Sequence, residues 1–549
     1  MMAQRREYAK NNIRDIFYKN GIYIILFVLA GFMHLYRLGD IPQGLHIDEA
    51  GMAYDAFCLA NYSTDRYLNH LPVYLINFGG GQSALYAYLV AILFKLGFGL
   101  NAWTIRMPGA VLALIAYVAG VSIIRKIMGE KWGVISAFLM AILPYFTMQS
   151  RFGLDCNLLL SMSIISFWML LKAYEKKKTI CYILAGILWG ISYYTYALGY
   201  ISITVFLGLI LLYWLYLKKI RWKEIVMVLL PAAIIASPLL LMVMINLFDL
   251  PQMEIAGVTI PKLPTFRNSS LNVENIWVNL KATITAVLTR DQVESNALDK
   301  YYTMYKVSIP FVVIGFVYLL GRTFCSLVKK EYHPECLLCI WVITYLFLGS
   351  LIGRIDADRA TINRVNGIFF GLLFCLVYGM RYVYRRFGSW LQSDAEVKKD
   401  SVRECLRLIP HCRKKAAYLL LLFYCVCFIG FARYYFTKMP RFTDFRELYP
   451  DILEFIETST GEPKVVYTST PYIYYLLSAR VSPYDVDLKN DPMATYWKFV
   501  FHLPDPVGED GEDYIFIVNG DNAEYLDKLR TYYSFDEYKS GMYYCFYKK

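Results

Sequence analysis

The stretch Gly44-Leu45-His46-Ile47-Asp48-Glu49-Ala50 directly follows the first apolar run of the chain, residues 20–37. Two adjacent carboxylates, Asp48 and Glu49, are therefore expected at a membrane edge, where charge is costly and tends to be kept for function. A plainer interpretation is the start of a helix, because acidic side chains are favourable in the first helical turn. Both interpretations stay open on this stretch alone.

The composition indicates a membrane protein. The 549 residues are 57% hydrophobic and 18% charged, whereas a soluble domain has roughly 25% charged residues. Apolar runs recur along most of the chain, and many approach the roughly 20 residues that a membrane-spanning helix needs. The net charge of +12 is concentrated in short loops between these runs, which is the positive-inside pattern. We therefore predict a polytopic α-helical protein that contacts a lipid bilayer and no nucleic acid.

Loop charge also predicts the orientation in the membrane. The basic loops are expected in the cytoplasm with the N-terminus, and the loops that face outward are then 38–82, 150–155, 247–305 and 354–363. If both 20–37 and 83–98 crossed the membrane, the basic loop at Arg125 would face outward, so we expect one of these runs not to cross. The run 83–98 is the weakest, since it is short and contains Lys95, so we expect it at the outer interface. Eleven spans remain, and thirteen are possible if a longer run is broken.

Residues 438–549 differ from the rest because they contain no spanning run. Segments 464–467 and 514–518 have the pattern of buried strands, and the predicted helices are 450–458, 471–479 and 522–532. Such alternation predicts a small α/β domain, which the last span places outside the cytoplasm. The predicted division is therefore a membrane domain, 1–437, and an extracytoplasmic domain, 438–549.

Several charged side chains are predicted to meet on the outer side. Loop one supplies Asp48 and Glu49, and the next short outward loop supplies Arg151 and Asp155. A further outward loop contains Arg354, Asp356, Asp358, Arg359, Asn363 and Arg364. Arginine can hold a phosphate through two parallel hydrogen bonds, so these residues suit an anionic lipid headgroup. Arg151 and Asp155 are four residues apart and could instead pair with each other, as could Arg354 with a neighbouring aspartate.

Loop one is too long for a simple connection. Residues 49–61 have the pattern of an amphipathic helix. The glycines 79–81 could cradle a phosphate if they open a helix, or could form a plain turn, and both alternatives stay open. The outward loop 247–305 is also long, which is typical of functional or disordered connections, and we predict a surface helix over 272–288.

Taken together, these motifs resemble the GT-C glycosyltransferases, in particular bacterial members of the protein-mannosyltransferase-like and aminoarabinose-transferase-like group. In chain order, the motifs are Asp48-Glu49-Ala50-Gly51-Met52-Ala53-Tyr54, Gly79-Gly80-Gly81-Gln82-Ser83-Ala84-Leu85-Tyr86, Arg106-Met107-Pro108-Gly109-Ala110, Ser150-Arg151 through Asp155, Asn296 through Tyr305, and Asn363-Arg364-Val365-Asn366. The match covers roughly residues 20–437. No single motif is diagnostic, and the resemblance rests on their order and positions.

The resemblance implies a GT-C-like fold and an inverting glycosyltransferase. Such an enzyme moves a monosaccharide from a polyprenyl-phosphate donor to a cell-envelope acceptor, which can be a glycan, a lipid or a protein. Asp48 would be the catalytic base that removes the acceptor proton, while Glu49 and Asp155 would orient the acceptor or the sugar. The residues that would bind the donor phosphate are Arg151, Arg354, Arg359, Arg364 and His70. Either His70 or an arginine from another loop would replace a loop-one lysine that is absent here. The substrate loops would contribute Gln82, Asn296 and Tyr305.

The sequence assigns no metal site or other cofactor with certainty. His46 and His70 share loop one with Asp48, but their spacing matches no known ligand set, and the lone Cys336/Cys339 pair lacks a partner pair. Some members of the resembled group bind a divalent metal, so a metal stays possible.

Two other functions compete with the enzyme. A transporter or flippase of lipid-linked glycans should have charges near the middle of its spans and repeated halves, whereas the charges here gather in loops. A membrane scaffold with an outward binding domain would leave the Asp48-Glu49 pair unexplained.

Overall fold

The computed structural model describes residues 20–266, 275–289, 300–352, 362–396, 402–438, 445–459, 465–489, 495–496, 498–504 and 514–548. Its first part is almost entirely helical. The helices in chain order are α1 (Asn20–Leu35), α2 (Ile47–Tyr62), α3 (Leu85–Lys95), α4 (Ala102–Met128), α5 (Glu130–Ile142), α6 (Pro144–Gln149), α7 (Asp155–Lys176), α8 (Thr179–Ser192), α9 (Gly199–Tyr216), α10 (Trp222–Leu247), α11 (Ile276–Thr289), α12 (Ser308–Lys329), α13 (Cys336–Leu351), α14 (Ile368–Glu396) and α15 (Val402–Lys438).

The helices confirm a multi-pass membrane protein. Within the described ranges, seven helices are long and apolar enough to cross a membrane, namely α4, α7, α9, α10, α12 and parts of α14 and α15. Five shorter apolar helices accompany them, namely α1, α3, α8, α11 and α13. Helix α3 rises only about 16 Å, roughly half of the hydrocarbon thickness, which agrees with the expectation that 83–98 does not cross. The number of eleven spans stays a prediction.

Two predicted elements differ in detail. The continuous apolar sequence 132–149 is divided into α5 and α6, because Pro144 starts a new helix at a position where its missing N–H is tolerated. Helix α2 was expected to be amphipathic, and this prediction was wrong. Its buried residues run almost continuously from Glu49 to Leu59, since other parts of the protein cover it on several sides.

The C-terminal part is a small α/β unit, as predicted. Its helices are α16 (Pro450–Ser459), α17 (Tyr472–Ser478) and α18 (Ala523–Tyr532), and its strands are β7 (Val466–Thr468), β8 (Thr495–Tyr496), β9 (Phe499–Val500), β10 (Ile515–Asn519), β11 (Asp536–Ser540) and β12 (Tyr543–Tyr547). The strand order is β11-β12-β10-β7-β9-β8. Strand β7 runs parallel to both of its neighbours, and the other pairs are antiparallel. The four outer strands were not foreseen.

Loop one and the C-terminal unit are joined directly. Strand β1 (Leu45–His46) pairs antiparallel with β6 (Phe445–Arg446). The Tyr474 hydroxyl donates to the Leu45 carbonyl at 2.8 Å, and the Tyr54 hydroxyl donates to the Val481 carbonyl at 3.0 Å. Residues of the C-terminal unit therefore hold the segment that precedes Asp48. These contacts cross the predicted boundary at 437/438, and the division into two domains stays a prediction.

Candidate active site

The carboxylate pair lies in the first turn of α2. The ring nitrogen Nδ1 of His46 accepts a hydrogen bond from the Asp48 backbone N–H at 3.1 Å, and the His46 N–H donates to the Glu49 carboxylate at 2.9 Å. These reciprocal bonds form a capping box, which fixes the start of the helix. The plainer interpretation as a helix start is therefore correct, but the two carboxylates have very different surroundings.

Glu49 is fully buried and paired. Its two oxygens accept from Nε and Nη2 of Arg106 at 3.0 and 3.2 Å, and Oε1 also accepts from the Gly153 N–H at 2.6 Å. The other bonds of the Arg106 guanidinium go to loop-one carbonyls, those of Leu38, Pro42 and Gly44. The prediction that Glu49 orients a substrate directly is therefore not supported. Glu49 positions the loop, because its polar contacts are made within the protein.

Asp48 is open to solvent and yet oriented. Its side chain is 43% exposed, and the His46 ring nitrogen lies 3.6 Å from Oδ2. The Asn77 side-chain amide donates to Oδ1 at 3.0 Å. Asp48 can thus accept a proton from an incoming group while one of its oxygens stays fixed, which is the geometry that a general base needs.

A short hairpin supports Asp48. Strands β2 (Tyr74–Asn77) and β3 (Gly80–Ser83) pair so that Leu75 faces Gln82 and Asn77 faces Gly80, which brings Asn77 and Gln82 to one side. The amide nitrogen of Gln82 lies 3.5 Å from the Asp48 carbonyl oxygen. The side-chain oxygens of Asn77 and Gln82 are buried and accept no hydrogen bond within the described residues. Asn77 therefore contacts Asp48 through its amide nitrogen, while its oxygen faces the buried side near Gly51.

The glycine run forms the turn of this hairpin. Gly79 has φ +74° and follows Phe78, which has φ +46°, so both lie in the left-handed region that glycine adopts at no cost. The run opens no helix, and the alternative of a phosphate cradle is wrong. Gly81 is required for packing, because a Cβ there would collide with the Tyr74 ring.

Asp155 joins the same site at the start of α7. Its carboxylate accepts from the backbone N–H of Ser83 at 2.9 Å and of Cys156 at 2.7 Å. Asp155 is also close enough to Asp48 for the two negative charges to repel each other. The hairpin therefore contacts both carboxylates, and Asp155 does not use Arg151 as its partner.

Arg364 belongs to a different part of the chain that packs beside Asp155. It belongs to a 3₁₀ turn, Ile362–Val365, and the following Asn366 donates to the Cys156 carbonyl beside Asp155. The phenol of Tyr196 lies within electrostatic range of both Asp155 and Arg364. The predicted phosphate ligands Arg354 and Arg359 and the predicted substrate residue Asn296 lie outside the described residues.

Arg151 has a structural role instead of the predicted phosphate contact. Its guanidinium is buried and donates to five carbonyls at 2.8–3.1 Å, those of Met33, His34, Tyr36, Arg37 and Ile41. It thus satisfies the carbonyl end of α1, where a positive charge is favourable. Burial lowers the pKa of Arg151. Its assignment to the donor phosphate is withdrawn, because its Nη1 and Nη2 groups are already engaged.

Two further predicted residues lie away from Asp48. The His70 ring nitrogen bonds to the Gly257 carbonyl, in the hairpin of β4 (Met253–Ile255) and β5 (Val258–Ile260). This contact ties loop one to the next outward loop and gives no support for a phosphate role. The Tyr305 hydroxyl is buried and donates to the Ile142 carbonyl at 2.7 Å. Tyr305 therefore packs in the helical core and is not part of a substrate surface.

Sequence reasoning missed the residues that support Asp48 from behind. Asp55 and Arg66 form a fully buried ion pair at 2.7 Å. A Cβ on Gly51 would meet both Asn77 Oδ1, at 2.7 Å, and Arg66 Nη2, at 2.8 Å, so Arg66 lies next to the amide that holds Asp48. Such contacts have no periodicity in sequence, and the hydrophobic pattern could not have found them.

The described residues include no group of three or more His, Cys, Asp or Glu side chains that could hold a metal ion. Asp48 and His46 are adjacent at 3.6 Å, but two such side chains do not make a protein metal site. The described residues thus add no ligand set, and the question of a metal stays as the sequence left it.

Known proteins provide an independent comparison. Residues 82–242 match the family model described as dolichyl-phosphate-mannose-protein mannosyltransferase. No curated protein matches the chain. The chain is similar to the crystal structure of ArnT from Cupriavidus metallidurans bound to undecaprenyl phosphate, with 11% identity and a TM-score of 0.52 over 96% of this chain and 98% of that one. The apo form of ArnT gives 12% identity and a TM-score of 0.50 over 95% of this chain and 97% of that one.

A second similar structure is the archaeal oligosaccharyltransferase AglB from Archaeoglobus fulgidus, in complex with an inhibitory peptide and a dolichol-phosphate. The identity is 12% and the TM-score 0.50, over 97% of this chain and 74% of that one. At such low identity these likenesses establish the fold. Together with the family model, they confirm the predicted resemblance to GT-C glycosyltransferases.

Proposed function

We propose that this chain, which has the GT-C glycosyltransferase fold, is an inverting enzyme that uses a polyprenyl-phosphate monosaccharide. The acceptor is a glycan, lipid or protein of the cell envelope, and the reaction takes place on the outer face of the membrane. The observation that carries the proposal is the contrast between the two adjacent carboxylates. Glu49 is buried against Arg106, whereas Asp48 is held at one oxygen by Asn77 and remains 43% exposed.

The chemistry follows from these surroundings. Asp48 removes the proton from the acceptor nucleophile, which attacks the anomeric carbon of the donor. The bond from that carbon to the phosphate oxygen breaks, polyprenyl phosphate leaves, and the configuration inverts. Arg364 neutralises the charge that develops on the leaving phosphate, which is electrostatic stabilisation of the transition state. Asp155 orients the acceptor or the sugar, and the Asn77 amide keeps Asp48 oriented.

The donor class is supported by two of the similar structures. ArnT was crystallised with undecaprenyl phosphate, and AglB is in complex with a dolichol-phosphate. Both lipids are polyprenyl phosphates, and the phosphate charge suits an arginine at the membrane edge. The outer location follows from loop charge, since the basic loops are concentrated at the opposite ends of the helices.

The test is a transfer assay with purified full-length protein and a panel of labelled polyprenyl-phosphate sugars with envelope extract as acceptor. Asp48→Asn keeps the shape and removes the base, and we expect product formation to decrease by about 10²–10⁴-fold. Asp249→Asn is the matched control, because Asp249 is an outward-loop carboxylate, 89% exposed and paired with Lys262, and should retain normal turnover.

The same protein in vesicles distinguishes an enzyme from a flippase. A flippase would carry the labelled lipid across the bilayer without forming a new glycosidic bond. Translocation without any product would therefore contradict the proposed function, as would normal turnover by Asp48→Asn.

A further inference from the structure

A deep apolar groove lies at the end of the helix bundle opposite Asp48. It has a volume of about 420 Å³ and lies among helices α5, α12, α14 and α15. Its walls are mainly apolar and aromatic, and they include Phe138, Phe311, Met380, Leu421 and Tyr424. The opposite location follows from the chain path, because α5 begins at this groove and runs toward α6 and the start of α7, where Asp155 lies.

Helix α15, which forms one wall of the groove, is only slightly buried in the bundle. Only 11% of the apolar window of α15 is buried, and Leu419 and Leu422 are 67% and 60% exposed. A void this large is well above the ~150 Å³ of an apolar cavity that takes up a benzene-sized guest. Because water is not stable against such walls, a hydrocarbon chain from the bilayer is the natural material to occupy it.

The mouth of the groove is positively charged. The Lys131 ammonium lies 3.9 Å from the centre of the Tyr384 ring and 5.6 Å from that of Trp132, so it is held at the rim. The neighbouring Glu130 is already bound to Arg125 at 2.6 Å. Lys414 and Lys415 are exposed and directly precede Ala416 and Ala417, which line the groove.

These rim lysines have no acidic counterpart in the part of the chain that the structure describes. Lys131, Lys414 and Lys415 form no ion pair with a carboxylate there. An apolar groove whose described rim residues are basic is complementary to a lipid that has a hydrocarbon tail and an anionic headgroup. Trp132 and Tyr384 at the same level are typical of a membrane interface.

We propose that this groove binds an anionic phospholipid of the cytoplasmic leaflet. One acyl chain lies between α15 and the bundle, and the headgroup phosphate contacts Lys131 of α5 and Lys414 and Lys415 of α15. Basic pockets between membrane helices are a known means of holding anionic headgroups. The bound lipid fills the gap beside α15 and so connects this last helix, which leads to the C-terminal α/β unit, to the rest of the bundle.

The proposal is tested by lipid binding to the purified full-length protein after delipidation. Native mass spectrometry would compare phosphatidylglycerol with phosphatidylcholine of the same acyl chains. We expect phosphatidylglycerol to bind more tightly, with a preference of about fivefold for each lysine that contacts the phosphate. Equal binding of the two lipids would overturn the proposal.

Variants separate the two halves of the site. Ala417→Trp fills the groove and should abolish retention of both lipids, with Ala417→Leu as a milder filler if the larger side chain prevents folding. Lys131→Gln should retain the acyl chain and reduce the preference for phosphatidylglycerol by about fivefold. Leu419→Trp, on the exposed side of the same helix, and Lys223→Gln, on a different basic loop, are the matched controls and should behave as the wild type.

Two results would contradict the assignment. Retention of phosphatidylglycerol by both groove-filling variants at the wild-type level would show that the lipid binds elsewhere. Tighter binding of polyprenyl phosphate than of phosphatidylglycerol in this groove, lost in Ala417→Trp, would show that the occupant is a different lipid. Neither result depends on transferase activity, so the proposed function stands or fails separately.

Discussion

The two sides of loop one differ in how their polar groups are used. On the buried side, Glu49 and Arg106 satisfy each other, and Arg106 also binds three backbone carbonyls. On the open side, Asp48 is 43% exposed, and its Oδ1 accepts a hydrogen bond from the Asn77 amide. Adjacent residues of the same charge can thus have opposite roles, because burial and partners decide which carboxylate is free for chemistry.

The strongest test of the buried side is Glu49→Gln. This change leaves the Arg106 charge buried without its carboxylate, which typically costs about 3–5 kcal/mol. We expect a large decrease in the unfolding midpoint of the detergent-solubilised protein, measured by intrinsic fluorescence. Glu524→Gln is the control, since Glu524 is 83% exposed in a surface pair with Lys528, worth less than about 1 kcal/mol.

The pairing itself can be tested by removing both charges. The double variant Glu49→Gln with Arg106→Met leaves no buried charge and should be more stable than Glu49→Gln alone. If Glu49→Gln unfolds like the wild type, the buried side does not hold the loop.

On the open side, Arg364→Gln should reduce turnover by about 10²–10³-fold if Arg364 stabilises the leaving phosphate. The expected pattern is a decrease in kcat with little change in the unfolding midpoint, because the side chain is only partly buried. Arg221→Gln is the control, since Arg221 lies at the start of α10 with a side chain 81% exposed. Unchanged kcat in Arg364→Gln would remove this residue from the reaction.

A smaller effect is expected for Asn77→Ala. The variant loses the hydrogen bond that orients Asp48 but keeps the carboxylate, so we expect roughly a tenfold decrease in kcat, consistent with a bond to a charged group. The KM for the donor should change less. Initial rates over a range of donor concentrations separate the two parameters, and a change confined to KM would assign Asn77 to binding.

The smallest effect concerns Asp65, which lies behind the open side. Burial, together with Asp55 nearby, raises its pKa to about 6. Because an unfolded aspartate has a pKa of about 3.9, the folded protein binds this proton more tightly, so stability should decrease as the pH rises from about 4 to about 6. Asp65→Asn should have a flatter dependence of the unfolding midpoint on pH. An equal slope in the variant and the wild type would assign the dependence to other groups.

Much of the fold could be predicted because its signals are local. Long apolar runs indicated the membrane helices, and alternating segments indicated the C-terminal α/β unit. The position of Asp48 and Glu49 at a helix start was also evident from the first turn alone. Hydrophobic periodicity and capping act over a few residues, so one sequence is enough to detect them.

The roles within the site could not be predicted because they depend on distant partners. Glu49 and Arg106 are 57 residues apart, and Arg151 binds carbonyls more than 100 residues before it. The sequence predicted a phosphate contact for Arg151 because this residue is charged and lies in an outward loop. In the structure its guanidinium binds the carbonyl end of α1 instead. The glycine run looked equally suited to a phosphate or to a turn, and only the pairing of β2 with β3 decided it.

The most direct test of the central claim measures turnover and stability together for Asp48→Asn and Glu49→Gln. The account predicts that Asp48→Asn keeps the wild-type unfolding midpoint and loses about 10²–10⁴-fold in kcat. It predicts that Glu49→Gln unfolds at a much lower temperature, while the fraction that remains folded retains most of its turnover. Normal turnover in folded Asp48→Asn, or a wild-type midpoint with abolished turnover in Glu49→Gln, would contradict the assignment of the two carboxylates.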